Sequence, residues 1–310
     1  MGIGDNWRVA KREVWMMWDD LHGEGVFVLV LGMMQDGGLP HAGCRCKRCA
    51  AAFAAPEKGE WAACVGVVER RGRETAVWLI DATPDIRYQL NLLAPLLGPH
   101  PTRPNRLRQP NGIFLTHAHM GHIGGLPHMG PEAMAVSGLP VYAAKGLVDL
   151  LRENRLWRPL VNCLALRELA AGEVVMLSEW TRITAVSVPH RDEWGTGTFA
   201  FRVDGPNKSL LYLPDIDDWA QWPQAQSILW EVDYALVDAS FYSRAELGGR
   251  EPVAHPLVTD TLHRFTQMPG QLVLTHLNHT NPVLDRGSAE RAVVEALGVR
   301  VAETGMWWQL

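Results

Sequence analysis

The chain has 310 residues, enough for one large domain or two small ones with a core that needs no disulfide. Hydrophobic residues make up 47% and charged residues 20%, which excludes a disordered, coiled-coil or collagen-like chain. The 29 Lys and Arg against 34 Asp and Glu give a net charge of −5, which argues against nucleic-acid binding through a broad cationic face.

The N-terminal part of the sequence predicts a cytoplasmic protein. Its longest apolar run, residues 26–31, is too short to span a membrane. Residues 1–20 mix acidic, basic and Trp side chains and lack the apolar segment of a signal peptide. Three of the five cysteines fall within six residues, which favours metal binding over disulfides.

Short apolar runs bounded by turn residues predict most of the strands. Strands are expected at residues 26–31, 62–69, 75–80, 112–116, 140–143, 174–177, 183–188, 198–203, 209–213, 234–238 and 271–275. Helices are expected at residues 84–93, 145–154, 257–268 and 289–297, and surface loops at 36–44 and 99–110. The strands form hairpin-like pairs with helices between them, so we expect two packed sheets with helices outside, an α/β arrangement.

No linker divides the chain after the first strand. We therefore expect an N-terminal extension at residues 1–25 and a single domain at residues 26–310.

A histidine cluster follows the predicted strand at 112–116. In extended backbone the side chains of His117 and His119 point the same way and can meet one ion, and His122 follows at a turn. Catalytic zinc takes three protein ligands and keeps a position for water. The alternative is three unrelated surface histidines in a loop. Three histidines directly after an apolar strand are improbable by chance.

Polar residues recur where later strands end, at His190, Asp215, Asp238 and His276. Each one alone is an ordinary capping or turn residue, and Asp238 is the weakest candidate. Together with the histidine cluster, they predict that several strand ends converge on one metal site. Asp81, at the end of the strand at 75–80, is a candidate hydrogen-bond partner for a ligating imidazole.

This pattern resembles the metallo-β-lactamase superfamily, whose signature His-x-His-x-Asp-His is followed by a separate His, an Asp and a final His. The resemblance covers the chain from Val26 to its end and implies the four-layer αβ/βα metallo-β-lactamase sandwich. It also implies two sets of active-site ligands. One metal would be held by His117, His119 and His190, and a second by His122 and His276, with Asp215 bridging the two.

The sequence departs from this signature at Gly121, where the family has an Asp that binds the second metal. We therefore expect the second position to be less occupied than in relatives with Asp, and expect Gly121→Asp to raise the metal content. Asp192 and His255 lie in loops that are candidates to compensate.

A second cluster, Cys44, Cys46 and Cys49, has the spacing of a structural zinc site in the Cys-rich loop at 41–50. Neighbouring basic residues favour the thiolate forms. The alternative is three unrelated buried cysteines. Candidates for a fourth ligand are His41, Cys64 and His279.

The cluster resembles two subgroups of the superfamily: the pyrroloquinoline quinone biosynthesis protein B family, and the cyclic-phosphate phosphodiesterase of phosphonate breakdown. In both, a His shortly after the last active-site His completes a structural zinc, which implies His279 here. The stretches at 276–285 and 83–87 also resemble the quinone-biosynthesis proteins.

The resemblance implies a metallohydrolase in which metal-bound hydroxide attacks a small ester, first a phosphodiester or cyclic phosphate and next a lactone or amide. Asp215 would orient the hydroxide and accept its proton. His255 resembles in position the proton-donating His of ribonuclease Z-like phosphodiesterases, although an exposed loop His is the plain alternative.

One alternative to the hydrolase is a quinone-biosynthesis protein B-like protein that acts as an iron-dependent oxygenase. A non-catalytic binding protein that keeps the fold is another. The active-site ions would be zinc, or iron or manganese. We expect a small-molecule substrate and no membrane or extensive nucleic-acid contact, and a homodimer is compatible with the sequence.

Overall fold

The computed structural model describes residues 23–310, so most of the predicted N-terminal extension lies outside the described residues. Alternating and continuous apolar runs form the strands, as expected from their β-branched content. The strands of the described residues are β1 (Gly25–Gly32), β2 (Cys64–Arg71), β3 (Glu74–Ile80), β4 (Pro99–His100), β5 (Arg103–Leu107), β6 (Gly112–Phe114), β7 (Leu139–Ala144), β8 (Leu164–Leu169), β9 (Val174–Met176), β10 (Arg182–Val188), β11 (Thr198–Asp204), β12 (Ser209–Leu213), β13 (Tyr234–Asp238), β14 (Gln271–Thr275), β15 (Arg300–Val301) and β16 (Trp307–Gln309).

The α-helices of the described residues are mostly short. They are α1 (Lys47–Ala54), α2 (Ile86–Leu92), α3 (Ala94–Leu97), α4 (Met120–Ile123), α5 (Lys145–Glu153), α6 (Arg158–Val161), α7 (Ala225–Trp230), α8 (Val258–Phe265) and α9 (Ala289–Ala296). Five short 3₁₀ turns are found at Pro56–Lys58, Leu126–Met129, Arg155–Trp157, Trp219–Gln221 and Pro282–Leu284. No helix within residues 23–310 is long and apolar enough to cross a membrane.

Two seven-stranded sheets carry the fold and share one pairing pattern. The first has the order β16-β1-β2-β3-β6-β7-β8, antiparallel from β16 to β3 and parallel from β3 to β8. The second has the order β15-β14-β13-β12-β11-β10-β9, antiparallel from β9 to β12 and parallel from β12 to β15. The two halves of the chain thus build matching sheets.

The main core lies between the two sheets, and β1 shows how the layers are built. Its side chains alternate, so that Val28 and Val30 pack toward the second sheet while Leu29 and Leu31 pack with apolar residues of the helices outside the first sheet. Both faces of β1 are therefore buried. Residues of α7, α8 and α9 join the core with the second sheet, which gives the predicted four-layer αβ/βα sandwich.

Several elements differ from the sequence prediction. The structure adds elements in segments where none was expected: strands β8, β15 and β16 and helices α1, α3, α4, α6 and α7. β8 was missed because Leu164–Leu169 has a helix-forming composition and pairs along β7 only in the folded chain. The loop expected at 99–110 contains the small β4–β5 hairpin, although β5 is largely exposed, as expected of a surface loop.

Candidate metal centre

The site lies where the carboxyl ends of several strands meet. In the second sheet, β10, β12, β13 and β14 run in one direction, so His190, Asp215, Asp238 and His276 emerge at one edge. In the first sheet, parallel strands β3 and β6 end at the same face of the molecule and bring Asp81 and the histidine cluster 117–122. A backbone hydrogen bond of 2.9 Å from Phe199 N to Thr116 O joins the sheets here. The predicted convergence of strand ends is present.

Four donors form the first ligand group: His117, His119, His190 and Asp215. His117 Nε2 lies 2.8 Å from His119 Nδ1, and His190 Nε2 lies 3.4 Å from the same atom. Asp215 Oδ1 lies 3.6 Å from His190 Nε2. The three imidazoles that the resemblance assigned to one metal therefore surround one point.

A second group surrounds the other oxygen of Asp215. Asp215 Oδ2 lies 3.1 Å from His122 Nε2 and 3.5 Å from His276 Nε2. Asp36 Oδ1 lies 3.2 Å and 3.4 Å from the same two nitrogens. The two oxygens of Asp215 thus face different donor groups, which is the arrangement of a bridging carboxylate.

Four ligand-candidate rings have Nδ1 near an oxygen of the protein, whereas His119 has its Nε2 3.4 Å from Glu193 Oε2. Asp81 Oδ2 accepts from His122 Nδ1 at 2.7 Å, as predicted for that carboxylate. Three further contacts involve hydroxyl and carboxylate oxygens: Thr116 Oγ1 to His117 Nδ1 at 3.0 Å, Ser240 Oγ to His276 Nδ1 at 3.1 Å, and Asp217 Oδ1 to His190 Nδ1 at 2.9 Å. These partners fix the ring orientation and leave Nε2 free to ligate.

Backbone strain gathers at this site. Within the described residues, four residues other than glycine have a positive φ, and three of them are Asp81 (74°), His255 (71°) and His276 (57°). Such conformations cost about 1–3 kcal/mol each and persist where the surrounding structure fixes them, often at functional sites. The strain places these side chains toward the centre instead of along the strand direction.

Charge at the centre is divided between acidic and basic partners. Burial would raise the pKa of Asp215, but the rings of His276 and His122 hold it well below its usual range. Burial would lower the pKa of His276, but the Asp215 carboxylate raises it to about 10. Burial holds the pKa of His117 well below its usual value, so this ring is neutral and ready to ligate. The carboxylates favour positive charge between them, which a proton or a metal ion supplies.

These residues fit divalent metal ions. Within residues 23–310, His122 Nε2 and Asp215 Oδ2 are buried and lie 3.1 Å apart without the geometry of a hydrogen bond, although buried polar atoms almost always make one. Imidazole nitrogens and carboxylate oxygens are ligands of zinc, iron and manganese. The unsatisfied atoms point into the donor groups, as a metal site requires.

His255 lies beside the second group and contacts Asp238. Its Nδ1 is 2.7 Å from Asp238 Oδ2, and its ring centroid is 5.5 Å from that of His190. Burial would lower the pKa of His255, but the charge of Asp238 outweighs it and raises the pKa. Asp238, weakly assigned from sequence, is fully buried and favours the charged form of this imidazole.

Of the two residues suggested to compensate for Gly121, only His255 reaches the centre, where it forms a candidate donor group with Asp215, Asp238 and His276. The carboxylate of Asp192 accepts hydrogen bonds from Trp194 N at 2.8 Å and from Thr196 N at 3.0 Å, so it caps its own loop. His255 reaches the centre but faces Asp238. Asp36, which the sequence analysis did not single out, lies directly beside Gly121.

The cysteine loop forms a separate group with the histidine that the resemblance selected. Cys44, Cys46, Cys49 and His279 bring one donor atom each within 4.8 Å of one another. Cys44 Sγ lies 3.4 Å from His279 Nε2. Of the two other candidates, His41 lies beside this group and stacks on His279 with ring centroids 4.7 Å apart, and Cys64 lies elsewhere, where its thiol donates to Asp81 O.

Backbone groups favour the thiolate of Cys46, whereas burial raises the pKa of Cys49 to about 11. Cys49 N donates to Cys46 Sγ at 3.4 Å, and Cys46 is the N-cap of α1. The pKa of Cys46 is lowered, chiefly by this hydrogen bond. His41 N donates to Cys49 Sγ at 3.3 Å, and the Arg48 guanidinium donates to His279 O. Three sulfurs and one nitrogen make a donor set suited to a closed, tetrahedral zinc site.

Similar proteins support the fold that this geometry suggests. Coenzyme PQQ synthesis protein B of Methylobacterium sp. (strain 4-46) is 28% identical over 313 residues, which cover 90% of this chain and 98% of that protein. The protein of the same name from Nitrosococcus oceani is 27% identical and covers 91% of this chain and 99% of its own.

Solved structures share the same architecture. Zn(2+)-bound PqqB from Methylobacterium extorquens matches with a TM-score of 0.77 at 23% identity, covering 92% of this chain and all of that one. A diphosphatase from the PhnP family matches with a TM-score of 0.66 at 21% identity, covering 92% of this chain and 97% of that one.

A family model described as the beta-lactamase superfamily domain matches residues 78–302, well over half of the chain. Its span includes the histidine cluster and each strand end that carries a candidate ligand. With the two-sheet sandwich, this match confirms the predicted metallo-β-lactamase-fold metallohydrolase class. The chain belongs to the β-lactamase superfamily and has the metallo-β-lactamase fold.

Proposed function

We propose that the protein is a metal-dependent hydrolase of a small ester, with a phosphodiester or cyclic phosphate as the first candidate substrate. The observation that carries the proposal is the placement of Asp215, whose two oxygens face two separate donor groups. When bound there, divalent ions lower the pKa of water to supply a hydroxide nucleophile and offset charge on the reacting ester.

Residues of the chain would divide the remaining tasks. Asp215 would orient the attacking water between the two donor groups and accept its proton. His255, whose charged form Asp238 favours, would give a proton to the leaving alcohol. Its side chain is 12% exposed, so solvent reaches this imidazole.

Charge balance favours an anionic substrate. Two carboxylates, Asp36 and Asp215, would neutralise only part of the charge of two divalent ions, and the other donors are imidazoles. Counting only the direct ligands, the charge at the ions would be positive, which favours phosphate esters over neutral lactones or amides.

Zinc is the proposed structural ion of the cysteine group, in line with the Zn(2+)-bound PqqB that shares the fold. For the imidazole centre we propose zinc first, with manganese or iron as alternatives that the same ligand types accept. The expected reducing, cytoplasmic setting would keep the cysteines available as ligands. A small-molecule substrate and a homodimer also stay predictions.

A second candidate function follows from the similarity to Coenzyme PQQ synthesis protein B over 90% of this chain. In this alternative the protein takes part in making a quinone cofactor as an iron-dependent oxygenase. The mixed imidazole and carboxylate donors also suit iron, so the alternative needs no change in the site.

Metal analysis combined with an activity screen separates the two functions. The protein, purified without added metal, is assayed by elemental analysis and against a bis-p-nitrophenyl phosphodiester, a 2′,3′-cyclic phosphate, a lactone and a β-lactam. Zinc or manganese with hydrolysis of the phosphate esters is the expected result. Iron with oxygen consumption and no hydrolysis would support the alternative instead.

His117→Ala is the control variant, because it removes a ligand candidate while leaving the surface unchanged. Activity that survives this substitution would not come from the imidazole centre. A protein that binds metal but hydrolyses none of these four substrates would argue against the hydrolase.

A further inference from the structure

Asp36 occupies the space beside Gly121, the residue at which the sequence departs from the superfamily signature. A Cβ built on Gly121 would collide with the Asp36 carboxylate and lie 2.5 Å from Asp36 Cα. Real Cβ atoms do not approach other atoms this closely, so residue 121 must lack a side chain while residue 36 occupies this space. The missing Asp and the unexpected Asp are therefore alternatives for one volume.

Asp36 also faces the donors that a residue at 121 would face. Its Oδ1 lies 3.2 Å from His122 Nε2 and 3.4 Å from His276 Nε2, and Asp215 Oδ2 is near the same two atoms. Two imidazole nitrogens and two carboxylate oxygens therefore surround one point, and they form a donor set for a divalent ion.

The backbone fixes Asp36 against the segment that carries His276. Gln35 N donates to Leu277 O at 2.9 Å, and Leu277 N donates to Met33 O at 2.9 Å. Asn278 Nδ2 donates to Gln35 Oε1 at 2.6 Å. These contacts make residues 33–36 a strip paired with residues 277–278, so Asp36 does not sit on a free loop.

We propose that Asp36 is a ligand of the second metal position and replaces, from a different segment of the chain, the Asp that the signature carries at position 121. The inference rests on the proposed metal centre but not on the substrate. It reverses the sequence-based expectation for Gly121: the second position is complete, and adding Asp at 121 harms it.

Asp36→Asn tests the proposal because it keeps the size of the side chain and removes its charge. We expect one ion fewer per chain after dialysis against a competing chelator. We expect binding of the second active-site ion to weaken by roughly 100-fold or more, since residues that only orient ligands already cost about 10–100-fold. Elemental analysis gives the stoichiometry, and a Co²⁺ titration followed by absorption gives the affinity.

Asp192→Asn is the matched control, since Asp192 was the acidic candidate from sequence and its carboxylate caps its own loop. It should keep the wild-type metal content. If Asp192→Asn loses the ion while Asp36→Asn keeps it, the assignment is overturned.

A reciprocal exchange sharpens the test. Gly121→Asp alone should lower the metal content, because its side chain meets Asp36. Asp36→Gly combined with Gly121→Asp removes the contact with the carboxylate, and a shift of the backbone at residue 36 would relieve the remaining contact with its Cα, so this double variant should regain the lost ion. A rise in metal content with Gly121→Asp alone would refute the proposal.

If the double variant does not fold by circular dichroism, the stoichiometry of Asp36→Asn decides. Metal content unchanged in that folded variant refutes the inference. A wild type that binds the second ion through Asp36 but hydrolyses no ester refutes the proposed hydrolase and leaves Asp36 as a ligand.

Discussion

The two candidate metal sites are built in opposite ways. The cysteine group takes three of its four donors from a six-residue stretch, Cys44 to Cys49, and its donors are mostly half-exposed. The imidazole centre collects its donors from five separate segments, and most of them are buried. A short chelating loop closes at little entropic cost, whereas the imidazole centre depends on the whole two-sheet scaffold.

The sites differ equally in what surrounds the donors. Backbone N–H groups support the thiolates, and four donors leave no further position on a tetrahedral ion. In the imidazole centre, hydroxyl and carboxylate side chains orient the rings, and His255 lies beside them in contact with Asp238. The first arrangement suits a structural ion, and the second suits an ion that must bind and activate a substrate.

His190→Ala should distinguish the two sites most clearly, because it changes the imidazole centre and leaves the cysteine group unchanged. It removes one of three imidazoles of the first group, and several kcal/mol of transition-state stabilisation should go with the metal. We expect turnover to fall by about 10³-fold or more. The far-ultraviolet circular dichroism spectrum should hardly change, because the core strands do not depend on this ring.

The competing view of His190 is a loop residue paired with Asp192. Its Nδ1 instead lies 2.9 Å from Asp217 Oδ1. Turnover of His190→Ala within a few-fold of wild type, on any ester the wild type accepts, would remove the residue from the proposed centre. The imidazole centre would then not be the site that activates the substrate, and its contrast with the structural cysteine group would be lost.

His255→Ala should have the next largest effect, and the effect should depend on the substrate. Proton donation matters for a poor leaving group and hardly at all for p-nitrophenolate. We expect a loss of about 10²-fold or more with an alkyl phosphodiester and a much smaller loss with the p-nitrophenyl ester. Metal content should stay at the wild-type level, which elemental analysis checks.

Equal losses on both substrates would show that His255 does not donate the proton. Asp238→Asn offers a second measurement, because it removes the carboxylate that raises the pKa of His255. It should reproduce the same substrate dependence in weaker form.

Much of the fold could be predicted from the sequence because its strands are short apolar runs that end at turn residues. β13 and β14 have the bounds expected from the pattern, and β1 extends its prediction by one residue at each end. β8 could not be predicted, since only its pairing with β7 makes a strand of Leu164–Leu169.

The candidate site was predictable wherever a residue follows a strand. His190, Asp215 and His276 all follow strand ends, and the structure brings them together. Asp36 gave no such signal, because an acidic residue before two glycines in a turn-rich loop is typical of a surface turn. Its role depends on contact with Gly121, a relation between distant segments that sequence spacing does not contain. Asp217 and Ser240 escaped notice for the same reason.

Cys46→Ser should have the smallest effect on turnover and a clear effect on stability. Cys46 both caps α1 and supplies one thiolate of the cysteine group, so the variant should lose one zinc per chain. Binding of a structural ion contributes to folding free energy, and each kcal/mol lost should lower the melting temperature by about 2–4 °C. Elemental analysis and thermal melting measure both, with Cys163→Ser, a half-exposed cysteine outside the metal groups, as the control.

Turnover of Cys46→Ser should fall by no more than about tenfold, the lower end of what indirect partners of a metal centre cost. Some loss is expected because His279 and His276 share one segment, and that segment pairs with the strip that carries Asp36. Unchanged metal content and melting temperature would show that the cysteines hold no ion. A loss of turnover beyond 100-fold, with the structural zinc alone missing, would show that the cysteine group fixes Asp36 in the active centre and that the two sites form one unit.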